Sequence, residues 1–270
     1  MAARGGSRLC RVGERGSVTP VDQTPLIWRR AAPPAWLEQV PLAHRGLHDD
    51  ERPENSLPAF EAAARAGYGV ELDVQLARDG VPVVIHDAHL ERVSDRAGTV
   101  GRVTAGELQE VRLAGTSAHV PTLVDALARL RDVPVMVEIK QGRPAAGRLE
   151  RAVAAVLDDH AGPWCVASFN PWTLRWFRRR RPGWVRVLTA GPLHDVGLLE
   201  PVRRRLAALT DLRSVAPHAV SYDLTGLPTE ATDAWRASGG LLVTWTAVGP
   251  EGLARARTLA DNVIFEHVRP

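Results

Sequence analysis

From Val40 to the end of the chain, short runs of apolar and β-branched residues alternate with longer stretches whose apolar residues recur at helical spacing. Short apolar runs are typical of strands buried on both faces, and the longer stretches are typical of helices that cover such a sheet. The pattern predicts eight strands, over residues 40–44, 69–74, 134–139, 164–168, 185–190, 218–222, 241–246 and 262–266. It predicts seven main helices between them, over residues 57–66, 122–131, 145–159, 171–180, 195–208, 228–238 and 250–259.

Alternating strands and helices indicate βα units on a parallel sheet. Several helices have recognisable start signals: Thr122 can cap the helix that follows it, and Thr104 and Glu107 have the spacing of a capping box. Eight strands with helical crossovers in 270 residues favour a closed (β/α)₈ barrel, the TIM barrel. A doubly wound open sheet is the alternative.

A ninth apolar run, residues 81–86 (VPVVIH), follows the second strand too closely for a parallel crossover. The two runs must therefore form an antiparallel hairpin. The Asp-Gly pair between them favours a two-residue turn, and that register places Asp73 opposite His86. Glu71 shares a strand face with Asp73 because side chains alternate with a period of two. The hairpin therefore predicts one polar cluster that contains all three side chains.

Two segments fall outside this alternation. Residues 87–121 are too long for an ordinary barrel loop, so we expect a small insertion after the second strand, resembling a lid, with one short helix near 104–113. Residues 1–37 are rich in Gly, Arg, Ser and Pro without a sustained period, which predicts a loose N-terminal leader. The remainder, residues 38–270, is expected to form a single barrel domain.

The composition is that of a soluble globular protein, with 45% hydrophobic and 24% charged residues. The net charge of +3 does not suggest a dedicated nucleic-acid binder. Two cysteines are too few for a disulfide framework or a thiolate zinc site, and they fit a reducing compartment. No window approaches the roughly 18 apolar residues of a membrane span, and the N-terminus lacks the apolar core of a secretory signal. We therefore expect a cytoplasmic protein without stable membrane insertion.

The run of four arginines at 178–181 lies close to three tryptophans, a combination that suits a nucleic-acid patch. Arginines near the C-terminus of a helix also favour the helix dipole, and Pro182 ends this helix. We interpret the run as a solvated helix end and predict no nucleic-acid partner.

Charged side chains lie at the carboxyl ends of the first three predicted strands and on the hairpin, where the active site of such a barrel forms. They are His44, Arg45, Glu71, Asp73, His86, Glu138 and Lys140, the last being the only lysine of the chain. Three carboxylates outnumber the two permanent cations, so a phosphodiester anion would bind only if a further cation were present. Carboxylate oxygens without a thiolate indicate a hard divalent ion, Mg²⁺ or Ca²⁺.

Four motifs occur in order: HRG at 44–46, PENS at 53–56, the ELDV to IHD block at 71–87, and VEIK at 137–140. Together they resemble the motifs of the glycerophosphodiester phosphodiesterase family, over roughly residues 40–270. The resemblance implies a (β/α)₈ barrel with an insertion after the second strand. It also implies metal-dependent hydrolysis of a small glycerophosphodiester to glycerol 3-phosphate and an alcohol, an activity of lipid and glycerol metabolism.

The resemblance further implies a role for each matching residue. The implied roles are acid and base for His44 and His86; metal ligands for Glu71, Asp73 and Glu138; phosphate contacts for Arg45 and Lys140; pocket support for Glu54 and Asn55; and an apolar wall for Trp245. One histidine would take a proton from the glycerol 2-hydroxyl, giving a cyclic phosphate, or from water, and the other would protonate the departing alcohol.

Two segments depart from the family pattern: WTVN is WTAV at 245–248, and DGIITD is DNVIFE at 261–266. We expect these positions to shape the pocket rather than to carry the chemistry. The other seven histidines are expected to be loop or surface residues, with His48 and His89 at the entrance.

Two other functions are compatible with the sequence. One is an activity on lipid head groups, like that of a lysophospholipase D or a phosphoinositide phospholipase, which would need an apolar entrance that the 87–121 insertion does not offer. The other is a barrel that binds a phosphate ligand without turnover, since fold does not determine function. The sequence makes no prediction of the oligomeric state.

Overall fold

A computed structural model describes residues 32–140, 147–193 and 199–270. Within these ranges the strands are β1 Leu42–His44, β2 Gly69–Leu76, β3 Pro82–Val84, β4 Val135–Ile139, β5 Trp164–Ser168, β6 Arg186–Ala190, β7 Ala219–Asp223, β8 Leu241–Val248 and β9 Asn262–Glu266. The helices there are α1 Trp36–Gln39, α2 Leu57–Arg65, α3 Ala105–Leu108, α4 Leu123–Arg129, α5 Arg148–Leu157, α6 Pro171–Arg180, α7 Glu200–Ala207, α8 Leu212–Val215, α9 Glu230–Ala237 and α10 Gly249–Leu259.

Eight of these strands form a closed parallel barrel. The pairing runs from β1 through β2, β4, β5, β6, β7 and β8 to β9, and β9 pairs again with β1. The predicted (β/α)₈ barrel is therefore confirmed, and the doubly wound alternative is wrong. Each predicted main helix overlaps an observed one. The predicted starts of two helices, residues 145–146 and 195–198, lie outside the described residues.

Side chains alternate along each barrel strand, so its two faces lie in different environments. On β2, the fully buried Val70, Leu72 and Val74 pack outward, in the cluster that also contains the inner faces of the helices. The residues between them point into the barrel. On β4, Met136 belongs to the apolar cluster in the barrel interior, and Glu138 lies two residues further on, at the carboxyl end. The interior is therefore apolar at the amino ends of the strands and charged at their carboxyl ends.

The hairpin of β2 and β3 forms with a register different from the predicted one. Asp73 lies opposite Ile85, whose backbone N–H donates to the Asp73 carbonyl at 2.9 Å, so the predicted placement opposite His86 is wrong by one residue. The cause is a three-residue loop, 78–80, whose last residue Gly80 has a φ of 86°. Such a loop, with a left-handed third residue, is a common alternative to the two-residue turn.

The insertion at 87–121 has a small apolar core of its own. Leu90, Val100 and Leu108 are fully buried in a cluster that also includes residues of the hairpin. A capping box begins the short helix α3 as predicted, with the Thr104 side chain accepting from the third residue of the helix. The helix ends at Leu108, earlier than predicted, because the chain then extends and forms an isolated antiparallel bridge.

The predicted leader, residues 1–37, lies outside the described residues as far as 31. Within the described part, Leu37 of α1 is fully buried and packs into the barrel interior with Leu42 and Ile264. This contact covers the amino end of the barrel with an apolar side chain. Among the described residues, no helix combines the length and the apolar character that crossing a bilayer requires.

Two predictions about basic side chains have different outcomes. The arginines at the end of α6 are exposed as predicted, and Arg181 pairs with Asp158 at 2.6 Å. His218 was expected to be a loop or surface residue. It does lie in the loop between α8 and β7, but it is buried there rather than exposed. It is 6% exposed, and its Nδ1 accepts a hydrogen bond from the Arg186 backbone N–H at 3.1 Å.

Candidate active site

Three carboxylates from neighbouring strands converge at the carboxyl end of the barrel. Glu71 and Asp73 point inward from β2, and Glu138 points inward from β4, where it lies directly opposite Asp73. Their ligand atoms all lie within 4.8 Å of one another, and all three residues are buried. The structure therefore brings together the three residues that the sequence placed in one cluster.

Lys140 compensates part of this charge. Its Nζ lies 2.9 Å from Asp73 Oδ1 and also contacts Glu138 Oε1. Burial alone would lower the pKa of Lys140, but the attraction of Asp73 and Glu138 raises it above its ordinary value. Burial alone would raise the pKa of Asp73, but Lys140 lowers it well below its ordinary range. The lysine is therefore a permanent cation, and Asp73 is ionised.

In the part of the chain that the structure describes, Glu71 forms no ion pair with a lysine or arginine side chain, and only the Arg45 backbone N–H and the more distant His44 Nε2 approach it. Burial, and then repulsion from Asp73 and Glu138, raise its pKa well above the ordinary value for a glutamate. Removing charged carboxylates from water is costly unless a cation is bound or a proton is gained. Three hard oxygen donors, one of them without a compensating side chain, form a donor set that fits a divalent cation of the Mg²⁺ or Ca²⁺ kind.

Arg45, the residue after β1, is held beside the carboxylates by two acidic partners. Its Nη1 donates to Glu54 Oε1 at 2.8 Å, and its Nε lies 3.3 Å from Asp73 Oδ2. Its backbone has a φ of 55°, in the left-handed region that few non-glycine residues adopt. This conformation also directs its backbone N–H toward Glu71 Oε2, at 3.2 Å.

Asn55 fixes the orientation of Asp73. Its Nδ2 donates to Asp73 Oδ2 at 2.8 Å, and its Oδ1 accepts from the Asp73 backbone N–H at 3.2 Å. The Asn55 backbone N–H in turn donates to the Arg45 carbonyl at 2.8 Å. Glu54 and Asn55 thus contact Arg45 and Asp73 directly, and their role as pocket supports stays a prediction.

His44 ends β1 and lies between two carboxylates. Its Nδ1 is 2.7 Å from Glu266 Oε2, and its Nε2 is 4.0 Å from Glu71 Oε2. A carboxylate on Nδ1 favours the tautomer that carries the proton there, which leaves Nε2 facing the acidic cluster. The hydrogen bond from His44 lowers the pKa of Glu266 to about 2. Glu266 is therefore charged.

His86, which follows the hairpin, has a similar arrangement. Its Nδ1 lies 2.6 Å from Asp87 Oδ1, so its Nε2 is the ring nitrogen left for other contacts. Burial lowers the pKa of His86, although Asp73 opposes this effect. Its backbone carbonyl accepts a hydrogen bond from Gln75 Nε2 at 2.8 Å. The hairpin therefore holds His86 near the carboxylates in spite of the altered register.

Arg92, from the insertion, connects the two sides of the site. Its Nη1 and Nη2 donate to the Glu54 oxygens at 2.8 and 2.7 Å, and its Nε contacts Asp87 Oδ2. Glu54 binds Arg45, and Asp87 binds His86. A continuous series of charged contacts thus runs from the carboxyl end of β1 to the end of the hairpin.

Aromatic side chains form one wall of the site. Trp245, near the carboxyl end of β8, donates from Nε1 to the Ser221 carbonyl at 3.3 Å. Its ring meets the Phe169 ring edge to face, with centroids 5.4 Å apart. The Phe169 ring centroid lies 5.8 Å from Lys140 Nζ. Trp245 and Phe169 therefore form one aromatic pair that reaches toward Lys140, and the role of Trp245 as an apolar wall stays a prediction.

Sequence reasoning missed Glu266, Arg92 and Phe169. Glu266 ends the last barrel strand, so the rule that selected the residues at the other strand ends would also have selected it. Arg92 gave no such signal, because an arginine in an irregular insertion is ordinarily solvated and its partners are far away in sequence.

Comparison with known proteins agrees with this geometry. The sequence profile of the glycerophosphoryl diester phosphodiesterase family matches residues 44–262. The glycerophosphodiester phosphodiesterase of Caldanaerobacter subterraneus subsp. tengcongensis is 28% identical over 244 residues, which cover 85% of this chain and 95% of that protein. The probable glycerophosphodiester phosphodiesterase 2 of Mycobacterium tuberculosis is 28% identical over 226 residues, which cover 79% of this chain and 81% of that protein.

Solved structures share the fold. An Oleispira antarctica phosphodiesterase in complex with the product sn-glycerol-3-phosphate has a TM-score of 0.72 at 22% identity, covering 83% of this chain and 91% of that one. The glycerophosphodiester phosphodiesterase of Thermotoga maritima has a TM-score of 0.63 at 26% identity, covering 84% of this chain and 94% of that one.

Proposed function

Since this chain belongs to the glycerophosphoryl diester phosphodiesterase family, we propose that it hydrolyses small glycerophosphodiesters to glycerol 3-phosphate and an alcohol. The observation that carries the proposal is the convergence of the three carboxylates with two carboxylate-bound histidines and two cations at one end of the barrel. The glycerol phosphate bound to the Oleispira antarctica phosphodiesterase, a protein of similar fold, supports the same substrate class.

The proposal includes a divalent ion, Mg²⁺ or Ca²⁺, held by Glu71, Asp73 and Glu138. The three carboxylates of this cluster outnumber the two cations that contact them, Arg45 and Lys140, so a substrate anion would otherwise meet an excess of acidic groups. When bound, the ion would supply positive charge close to the non-bridging oxygens of the phosphate. The buried and uncompensated Glu71 supports this part of the proposal.

Arg45 and Lys140 would contact the phosphate. Both are oriented by carboxylates before any substrate enters, Arg45 by Glu54 and Lys140 by Asp73. Oriented charges stabilise the developing negative charge at the phosphate without rearranging during the reaction. Their hydrogen bonds to carboxylates also restrict the side-chain motion that binding would otherwise have to stop.

His44 and His86 would transfer the protons. Each has a carboxylate on Nδ1, Glu266 for the former and Asp87 for the latter, so each presents Nε2 for proton exchange. One ring would accept the proton of the nucleophile, either water or the glycerol 2-hydroxyl, and the other would give a proton to the departing alcohol oxygen. Attack by the 2-hydroxyl would form a cyclic phosphate, which a water molecule would then open to glycerol 3-phosphate. The orienting carboxylates would stabilise the imidazolium that forms in the first of these steps.

The test is an enzyme-coupled assay of glycerol 3-phosphate release from glycerophosphocholine, glycerophosphoethanolamine and glycerophosphoglycerol, with Mg²⁺, with Ca²⁺ and with chelator. His44→Ala and His86→Ala should each lower kcat by roughly 10²–10⁴. His160→Ala is the matched control, because His160 precedes β5 at the opposite end of the barrel. Wild-type turnover in both active-site variants would refute the acid and base roles.

Two other experimental results would assign a different substrate or a different activity to this protein. Faster release of the head-group alcohol from lysophospholipid micelles than from soluble diesters would assign a lysophospholipase D activity. Tight binding of glycerol 3-phosphate with no turnover of any diester, at every metal tested, would assign a phosphate-binding barrel.

A further inference from the structure

A second cluster of metal-ligand side chains lies beside the proposed active site. It consists of His48 from the loop after β1, Glu266 from the end of β9, and His267, which follows it. The ligand atoms of these residues all lie within 4.8 Å of one another. We propose that this cluster binds a transition-metal ion of the Zn²⁺ or Co²⁺ kind, separate from the hard divalent ion of the three carboxylates.

The distances within the cluster fit such an ion. Glu266 Oε1 lies 3.1 Å from His267 Nε2 and 3.6 Å from His48 Nε2. A tetrahedral ion with bonds of about 2.0–2.1 Å holds neighbouring ligand atoms about 3.3 Å apart. The two observed separations lie on either side of that value. All three ligand atoms lie within 4.8 Å of one another, as the ligands of a single ion must.

The environment of His48 indicates a missing partner. Its side chain is 13% exposed, and its Nε2 atom is covered and makes no hydrogen bond within residues 32–140, 147–193 and 199–270. A buried polar atom without a partner is destabilising, so such atoms are rare and need an explanation. A metal ion bound to Nε2 would remove this destabilisation. The planes of the His48 and His267 rings make an angle of 76°, so the two rings are in edge-to-face contact and are not stacked face to face.

The two clusters differ in ligand chemistry. Two imidazoles and one carboxylate form a donor set that suits Zn²⁺, Co²⁺ or Fe²⁺, whereas three carboxylates suit Mg²⁺, Ca²⁺ or Mn²⁺. An excess of Mg²⁺ should therefore occupy the acidic cluster while the histidine cluster stays available to the softer ion. This difference in selectivity makes the two sites separable in solution.

Glu266 connects this cluster to the chemistry proposed above. Its Oε2 accepts the hydrogen bond from His44 Nδ1, and its Oε1 faces His48 and His267. An ion on Oε1 would withdraw charge from the carboxylate and weaken the hydrogen bond that orients His44. If His44 transfers a proton as proposed, occupancy of the histidine cluster should lower kcat. This second statement rests on the proposed function, whereas the binding itself does not.

The binding test uses the full chain, freed of metal and then saturated with Mg²⁺. Co²⁺ is titrated in, and binding is followed by its visible ligand-field absorption and by equilibrium dialysis. We expect one Co²⁺ per chain. His267→Gln and His48→Gln should weaken its binding by more than the roughly 10–100-fold that loss of an outer-sphere partner costs. His119→Gln, an exposed histidine of the insertion, is the matched control.

A Glu138→Gln variant separates the two sites. It removes a carboxylate of the acidic cluster, and we expect its Co²⁺ spectrum and stoichiometry to equal those of the wild type. Three results would overturn the proposal: Co²⁺ binding that excess Mg²⁺ abolishes, binding that Glu138→Gln abolishes, or binding unchanged in both His48→Gln and His267→Gln. The last result would leave an ordinary contact between a histidine and a glutamate.

The activity test is separate from the binding test. With Mg²⁺ in excess, Co²⁺ should lower the kcat of the wild type and leave that of His267→Gln at its Mg²⁺ value. Co²⁺ binding without any loss of kcat would support the site and refute its coupling to His44. Absence of phosphodiesterase turnover altogether would refute the proposed function and leave the binding result standing.

Discussion

Replacing Glu266 with glutamine tests the role of the carboxylate that holds His44. The substitution keeps the size of the side chain and an oxygen that can accept the hydrogen bond from His44 Nδ1, now 2.7 Å long. It removes the negative charge, which the low pKa of Glu266, about 2, shows to be present at neutral pH. A hydrogen bond to a charged group contributes about 1.5–3 kcal/mol, against about 0.5–1.5 kcal/mol for a neutral one.

The expected effect follows from that difference. Loss of about 1–2 kcal/mol of stabilisation of a protonated His44 in the transition state corresponds to a fall in kcat of roughly 5–30-fold. KM should change little, because the contacts of Glu266 are to histidines and not to Arg45 or Lys140, the proposed phosphate contacts. The assay is release of glycerol 3-phosphate from glycerophosphocholine, with Mg²⁺ present and transition metals removed. Glu61→Gln, which replaces a surface glutamate paired with Arg129 on α4, is the control.

A double variant determines whether Glu266 acts through His44. If it does, adding Glu266→Gln to His44→Ala should cost no further activity, because the group that the carboxylate orients is already gone. Additive losses would show that Glu266 contributes by another route. A kcat of Glu266→Gln equal to that of the wild type would refute the reasoning outright, provided that circular dichroism shows the variant to be folded.

Three further predictions concern other parts of the molecule. Burial lowers the pKa of His218 to about 4, below the value of about 6.5 in an unfolded chain, so the unfolded state binds a proton more readily. Stability should therefore fall by up to about 3 kcal/mol as the pH drops from about 6.5 to 4. His218→Asn should flatten this dependence in urea unfolding, and an equal slope in both proteins would contradict the assignment. Arg92→Ala should lower kcat about tenfold, because the series of contacts from Glu54 to Asp87 is broken. Added guanidinium should restore part of the lost activity. Absence of this rescue, together with an unchanged kcat in Arg92→Lys, would count against a positioning role. Dialysis against chelator should abolish turnover and Mg²⁺ or Ca²⁺ should restore it, whereas full activity in verified metal-free protein would disprove the role of the ion.

The barrel could be predicted because its signal is local and repeated. Each strand is a short apolar run between amphipathic stretches, and the inward direction of Glu71 and Asp73 follows from the alternation along β2 alone. The hairpin register could not be predicted in the same way. Hairpin loops of two and of three residues use similar Gly-containing sequences. Lengthening the loop by one residue shifts which residues of the two strands lie opposite each other along the whole hairpin.

The missed contacts share a different cause. Arg92 contacts Glu54, 38 residues earlier in the chain, and it lies in an insertion whose sequence has no sustained period. His218 lies in the three-residue connection between α8 and β7, where sequence predicts exposure, yet it is buried and accepts a hydrogen bond from the Arg186 backbone N–H. Sequence patterns report which face of an element is buried, but they do not report which elements cover a loop.

The contact between His44 and Glu266 exists because the barrel is closed, so the fold determines which carboxylate lies beside the His44 ring. The two residues are 222 positions apart and meet because β1 and β9, the first and last strands, pair in parallel, with Ala43 opposite Phe265. An open sheet of the same strands, in which those two strands were not neighbours, would leave the Nδ1 of His44 without this carboxylate. Closure thus supplies an orienting carboxylate and, through the same residue, the shared ligand of the histidine cluster. A change that loosens the β1 and β9 pairing should therefore impair proton transfer at His44 and Co²⁺ binding at His48 together, while the carboxylates of β2 and β4 keep their relative positions.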